Sequence, residues 1–167
     1  GSAVFNVTSA GLATANVTAT EADNDFQSLV VSSTAVSVTE GGTNTFTVRL
    51  SAQPVANVTV SVARVSGDTD LSVSGGATLI FTTANWNTPQ TVTLAAAADV
   101  DLTHGSAMFN VTSVGLPTVS VTATEVDNDV QSLVVSSTAV SVIEGGTNTF
   151  TVRLSAQPST NVTVNVT

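Results

Sequence analysis

The chain has 167 residues and a formal net charge of -9, with only 9% charged residues, no Lys, no Cys and a single His. An acidic chain with three Arg disfavours nucleic acid and anionic lipid as partners, and no apolar run approaches the ~20 residues that cross a membrane as a helix. Without Cys, disulfide bonds are excluded as a source of stability.

The chain repeats itself with a period of 104 residues. The phrase TATEADND ends at Asp25 and returns as TATEVDND at Asp129, and residues 1–63 differ from residues 105–167 at only twelve positions. A period of this length is that of a whole domain, so the sequence predicts tandem domains and not a solenoid of short units. The expected domains are 1–25 as the last two strands (F, G) of a preceding repeat, 28–129 as a complete module, and 130–167 as the first three strands (A, B, C) of a following repeat.

The sequence predicts strands throughout, because Val, Thr and Ser alternate with period two and no window keeps the spacing of an amphipathic helix. Short strands separated by Gly, Asn, Pro and Ser turns over about a hundred residues favour an all-β, two-sheet sandwich. The predicted strands of one period are A 28–38, B 44–50, C 57–65, D 77–82, E 90–97, F 105–112 and G 117–124.

The acidic residues are expected to lie at one end of this sandwich. If successive strands alternate in direction, the A–B, C–D and E–F connections and the exit of strand G share an end. These four places hold Glu40, Asp68 and Asp70, Asp99 and Asp101, and Glu125, Asp127 and Asp129, respectively. The other connections, SAQPVAN, TTANWNTPQ and TSVGLP, contain no acid, and the remaining acids, Glu21, Asp23, Asp25 and Glu144, are repeat copies of these.

So many carboxylates at one end repel one another unless a cation lies among them. Ca²⁺ fits this pattern best, because it takes six to eight oxygen ligands in a tolerant geometry, whereas zinc and copper favour His or Cys. The alternative is that acids merely occupy loops and keep the protein in solution.

Five phrases carry a resemblance to a known family. VSVTEGG, GDTDLSV, TLIFTTANWNTPQTVTL, AADVD and VTATEVDND, in this order and spacing, resemble a Calx-beta domain of the form found in bacterial extracellular proteins, over residues 28–129. The resemblance implies a seven-stranded immunoglobulin-like sandwich that binds calcium where the strand G exit meets the A–B turn, in a secreted or cell-surface protein. The metal ligands that it implies are Glu40, Asp70, Asp99, Asp101, Asp127 and Asp129, with Asp68 as a substitute for Asp70 or an addition to it.

One departure from the family pattern bears on the number of ions. Family members that hold several ions place further Glu residues shortly after the Asp pair of the E–F connection. Thr103 and His104 occupy that region here. The resemblance therefore suggests few ions per module.

Other candidate sites have simpler explanations. The six NVT sequons arise from strand alternation alone, and the single His has neither a Cys partner nor the neighbours of a catalytic triad. Trp86 is either a sugar-stacking platform or, as we favour, an indole packed under the D–E turn. No residue is therefore assigned a catalytic role, and we expect a protein that is not an enzyme.

Two functions from different classes follow. The first is a calcium-binding structural or adhesive repeat of a secreted or cell-surface protein, stiffened at module junctions by calcium, with neighbouring repeats as partners in a stalk or a self-associating fibre. The second is a carbohydrate-binding accessory module of a secreted glycan-degrading enzyme, which requires an exposed aromatic groove. A cytosolic calcium sensor is a more distant third, because nearly identical copies suit a spacer better than a switch.

Overall fold

A computed structural model describes all residues from Gly1 to Thr167, and its regular elements are all β-strands. The strands are β1 (Ser2–Val7), β2 (Ala15–Thr20), β3 (Leu29–Val31), β4 (Ala35–Thr39), β5 (Thr43–Leu50), β6 (Val58–Gly67), β7 (Leu71–Gly75), β8 (Thr78–Phe81), β9 (Gln90–Ala96), β10 (Ser106–Thr112), β11 (Val119–Val126), β12 (Leu133–Val135) and β13 (Val152–Leu154). The structure contains no helix with the length and apolar character needed to cross a bilayer.

Strands β3 to β11 form a β-sandwich around one hydrophobic core. One sheet has the strand order β4-β11-β10-β6-β8 and the other β3-β5-β9-β7, and both contribute to a cluster of 19 buried residues. Along β5, Phe46, Val48 and Leu50 are buried and the residues between them are not, as the period-two pattern predicts. Each such side chain contributes about 1.5–3 kcal/mol by leaving water. The all-β sandwich expected from the sequence is confirmed at this level.

The predicted strand A is in fact two strands in different sheets. β3 pairs with β5 in the four-stranded sheet, whereas β4 pairs in parallel with β11 in the five-stranded sheet. Between them the hydroxyl of Ser33 donates to the carbonyl of Ala35 at 2.6 Å and accepts its N–H at 3.2 Å. This local turn moves the chain from one sheet to the other.

The predicted strand D, 77–82, corresponds to β8 alone, and β7 is a further strand before it that the sequence did not predict; the two together form a strand D in two halves. β7 pairs with β9, and β8 pairs with β6 in the opposite sheet. Gly76 allows the crossing, because its φ is +73° and a Cβ there would lie 3.0 Å from Cα of Val92. Nine strands therefore stand where seven were predicted. Both halves of D run in the same direction, so the assignment of connections to the two ends is unchanged.

The flanking segments repeat pairings of the sandwich with the 104-residue offset. β1 and β2 align Ser2 with Thr20, as β10 and β11 align Ser106 with Thr124. β12 and β13 align in the same register as β3 and β5.

The predicted strand C of the following repeat is absent, since residues 161–167 are not in a strand. In the sandwich its counterpart β6 pairs with β8 and β10. Residues 104 positions after those two strands lie beyond Thr167, so strand C has no partner within this chain.

Candidate metal centre

The acidic side chains meet at one end of the sandwich, where β4, β6, β9 and β11 end. A central group consists of Glu40, Asp99 and Asp129, each of which places one carboxylate oxygen within 4.8 Å of the other two. These residues come from the β4–β5 turn, the β9–β10 connection and the segment after β11. Three of the predicted ligands therefore converge at the end of the sandwich that strand parity predicts.

Glu40 organises the group through hydrogen bonds to two other segments. Its side chain is only 7% exposed, and its Oε1 accepts the N–H of Asp99 at 2.6 Å. Its Oε2 accepts the N–H of Asn128 at 3.3 Å, and the side-chain amide of Asn128 donates to the Glu40 carbonyl at 3.0 Å. A single carboxylate thus joins the β9–β10 connection to the exit of β11.

Each Asp-x-Asp phrase forms the same local turn, in which the first carboxylate accepts the backbone N–H of the second Asp. The pairs and their distances are Asp68 with Asp70 (2.9 Å), Asp99 with Asp101 (2.8 Å), and Asp127 with Asp129 (2.7 Å). Asp and Asn favour such turns because their short side chains reach the backbone two residues on. These hydrogen bonds fix the local shape of the three loops.

Asp129 has an oxygen that nothing in the chain satisfies. Its Oδ2 is buried and accepts no hydrogen bond. Burial raises the pKa of Asp129, and the nearby charges of Glu40, Asp127, Asp99 and Asp101 raise it further. A buried carboxylate oxygen without a donor costs free energy unless a cation or a proton compensates it.

The remaining predicted ligands lie around the central group without placing an oxygen in it. The charges of Asp101 and Asp127 act on Asp129, and those of Asp68 and Asp70 act on Glu125. Arg64 points its guanidinium at the carbonyls of Gly67 and Asp68. No Arg forms an ion pair with any of these carboxylates. The single ion pair of the structure joins the N-terminus to Glu21.

Glu125 is the one acid at this end that the ligand set implied by the family resemblance leaves out. On β11, Val121, Ala123 and Glu125 alternate inward, so this carboxylate occupies a core position and is only 2% exposed. Its Oε1 is buried and accepts no hydrogen bond. Burial raises the pKa of Glu125, and the charges of Asp68, Asp99, Asp70 and Glu40 add to this effect. The period-two pattern alone would have placed it inside, had the strand been extended by one residue.

Gly105 gives these inner carboxylates their room. A Cβ on Gly105 would overlap Oδ2 of Asp68 and come within 2.7 Å of Oε2 of Glu125. The backbone also takes part, because the Glu125 N–H donates to the Gly105 carbonyl at 2.8 Å. Any side chain at position 105 would therefore force these carboxylates to move.

These donors suit a hard cation and do not suit zinc or copper. Two of the three buried atoms without a hydrogen-bond partner are carboxylate oxygens, Oε1 of Glu125 and Oδ2 of Asp129, and the third is the amide nitrogen of Gln131. The one imidazole of the chain, His104, is exposed and accepts the Asp127 N–H at its Nδ1 over 3.0 Å. Carboxylate, carbonyl and water oxygens are the ligands that Ca²⁺ prefers. The buried oxygen of Asp129 and the three converging carboxylates therefore fit a calcium ion.

Trp86 packs against the hydrophobic core as a partly buried side chain. Its carbonyl accepts the N–H of Leu50 at 2.9 Å. The expectation that this indole serves packing is therefore consistent with the structure.

The chain was compared with known proteins at the level of families, curated sequences and solved structures. No family profile matches it, and no curated protein matches it. A structure of a chaperone–tip adhesin complex of CFA/I fimbriae biogenesis is similar with a TM-score of 0.48 and 9% identity, over 66% of this chain and 62% of that chain. A Bacteroides ovatus GH5 xyloglucanase in complex with a XXXG heptasaccharide is similar with a TM-score of 0.40 and 16% identity, over 59% of this chain and 18% of that chain. The chain thus spans less than two thirds of the length of either.

Proposed function

We propose that this chain is a calcium-binding structural or adhesive repeat of a secreted or cell-surface protein, built from immunoglobulin-like Calx-beta modules with a period of 104 residues. The observation that carries the proposal is the convergence of Glu40, Asp99 and Asp129 with a buried, unsatisfied oxygen and no protein cation in the group. Such an arrangement is costly in the free protein and favourable around a dication.

The three central carboxylates would hold the ion, with Asp68, Asp70, Asp101 and Asp127 supplying further negative charge around it. When bound, the ion supplies two positive charges that offset the mutual repulsion of these groups. The proposal contains no catalytic step.

The central group also explains how an ion would stiffen an array. Asp127 and Asp129 follow β11 directly, and β12 of the next repeat begins at Leu133, so the connection between repeats is only a few residues long. An ion held by Asp129 together with Glu40 and Asp99 would fix the direction in which the chain leaves the module. Tandem copies with the same phrase would repeat this clamp, which suits a stalk or a fibre.

The test is the thermal unfolding of the full chain with and without calcium. A ligand that binds only the folded state at 100 times its Kd stabilises by about 2.7 kcal/mol, which raises Tm by roughly 10 °C or more for a domain of this size. Mg²⁺ should do less, because it dehydrates reluctantly and demands octahedral geometry. A Tm that is the same in chelator and in millimolar calcium would refute the proposal.

A matched pair of variants assigns the effect to the site. Glu40→Gln should abolish most of the calcium-dependent rise in Tm, since an amide does not neutralise a dication. Glu144→Gln changes the repeat copy, which is exposed and not part of the central group, and should leave the rise unchanged. Equal effects of the two substitutions would remove Glu40 from the site.

The carbohydrate-binding alternative has weaker support. It requires an exposed aromatic groove, and the one Trp of the chain packs against the core.

A further inference from the structure

The connection that carries Asp99 also contacts the following repeat. The N–H of Gln157 donates to the carbonyl of Val100 at 2.6 Å. Gln157 belongs to the SAQP turn of residues 155–158, which follows β13. The side chain of Val100 is 61% exposed, so the contact is made by the backbone of the loop.

Burial differs between the two copies of this turn. Ala156 is 6% exposed and is the one buried residue of 130–167, whereas its counterpart Ala52, in the same SAQP turn of the complete module, is only half-buried. The proline of the turn differs in the opposite sense, since Pro54 is buried and Pro158 is half-buried. Local sequence cannot account for the difference, because residues 127–132 and 151–158 repeat residues 23–28 and 47–54 with a single change, from Phe26 to Val130. The neighbouring β9–β10 connection is present only at the second turn.

The first turn has an open groove in the corresponding place. A cavity of about 580 Å³ is lined by residues that include Asp23, Asp25, Gln27, Ala52, Gln53 and Pro54. An offset of 104 converts these six into Asp127, Asp129, Gln131, Ala156, Gln157 and Pro158, with every residue type unchanged, whereas a seventh lining residue, Val55, becomes Ser159. Two of these counterparts have a partner in the β9–β10 connection, since Asp129 lies beside Asp99 and Gln157 bonds to Val100.

We propose that the groove between Asp23 and Pro54 is the docking site for the β9–β10 connection of a preceding copy of this module, the segment equivalent to residues 97–101. The inference rests on the proposed repeat organisation and adds a specific contact to it. The contact is head-to-tail, with a loop on one copy and a groove on the next, and such heterologous contacts continue from copy to copy unless the rotation between copies closes a ring.

The docking loop is also the ion-binding loop. Asp99 provides an oxygen to the central group and its N–H is held by Glu40, while the next residue, Val100, provides the docking carbonyl. An ion at Asp99 would therefore hold the Val100 carbonyl in the position that the next repeat recognises. The metal site and the orientation of the following repeat are coupled through two adjacent residues.

Amide hydrogen exchange in the full chain tests the contact, with a control inside the same molecule. The Gln157 N–H should exchange on the order of tenfold more slowly than the Gln53 N–H, because only the former has the carbonyl of a preceding loop as acceptor. The protection should fall towards the Gln53 rate in chelator. Equal rates for the two amides in calcium would overturn the proposal.

A lengthened chain tests the occupant of the groove. The test protein carries two consecutive copies of residues 26–129 ahead of residues 130–167. Segmental isotope labelling then distinguishes the groove of the first copy, which has no preceding module, from the groove of the second copy, which has one. Gln53 of the second copy should be protected like Gln157, and Gln53 of the first copy should not. A second-copy amide as fast as the first would show that the groove does not receive the loop. Protection at Gln157 with a calcium-independent Tm would support the docking and remove the metal proposal, so the two fail separately.

Discussion

At the acidic end of the sandwich, the fold buries a carboxylate at a position where its charge is unfavourable. Glu125 occupies a core position in series with Val121 and Ala123, with one oxygen that has no hydrogen-bond donor. An apolar residue would satisfy the alternation of β11 without this cost. A carboxylate that the fold buries and leaves unpartnered contributes negative charge to the site at the expense of stability.

The substitution Glu125→Gln should therefore stabilise the metal-free protein, by on the order of 1 kcal/mol, because it removes a buried charge that four neighbouring acids repel. Urea unfolding in chelator measures the change. Glu21→Gln alters the exposed repeat copy, whose side chain is 82% exposed, and should change the free energy of unfolding little. A loss of stability in Glu125→Gln would contradict the expected repulsion.

The raised pKa values of Glu125 and Asp129 predict an unusual pH dependence for the metal-free protein. An acid whose folded pKa exceeds its unfolded value binds more protons in the folded state, so the free energy of unfolding falls as pH rises through that interval. For Glu125 the interval begins at the ordinary value of 4.5, and for Asp129 at 3.8. Stripped of metal, the chain should need more urea to unfold at pH 5 than at pH 7. A lower midpoint at pH 5 would refute this.

At the scale of elements, two strands change sheets in mid-course. The sequence predicts strand A without its division, because alternation continues on either side of the break, and it predicts strand D only as 77–82, which leaves out β7. Which sheet a residue joins depends on partners far along the chain, such as β11 for β4 and β9 for β7. Pairings at that separation leave little local signal. The ends to which connections belong were predictable because they depend on strand direction, which the breaks do not alter.

The crossing in strand D provides a test that separates steric conflict from backbone conformation. Gly76 and Gly115 both have positive φ, at +73° and +78°, but a Cβ on Gly115 would meet nothing within 4 Å. Gly115→Ala should cost about 1–2 kcal/mol from conformation alone, and Gly76→Ala should cost clearly more because its Cβ meets the backbone of β9. Chemical denaturation of the two variants compares them. Equal losses would mean that the sheets move apart without cost.

At the scale of the whole molecule, the predicted site depends on the convergence of separate segments. Strand parity placed eight acids of the module at one end, and the structure brings carboxylate oxygens of Glu40, Asp99 and Asp129 within 4.8 Å of one another. The sequence did not indicate which three carboxylates would converge. That depends on turn geometry, such as the hydrogen bond from the Asp99 N–H to Glu40. Glu125 was among the acids that strand parity assigned to this end, but the ligand set implied by the family resemblance does not include it.

An array of these modules should have a defined length per module and a stiffness that depends on calcium. Strands rise about 3.3 Å per residue, so each module should add on the order of 35–45 Å to a rod when the exit of β11 is held rigid. Small-angle scattering on a protein of three complete modules should show an extended particle in calcium, because an ion at Asp129 and the docked Val100 loop both fix the next repeat. In chelator the mutual repulsion of the carboxylates should loosen the β9–β10 connection, and the distribution of dimensions should broaden.

A protein of the same length that carries Glu40→Gln in every module is the control and should resemble the chelated form at all calcium concentrations. Profiles that superimpose in calcium and chelator would mean that the short connection between repeats is rigid by itself, and that the acidic phrase does not serve to stiffen the array.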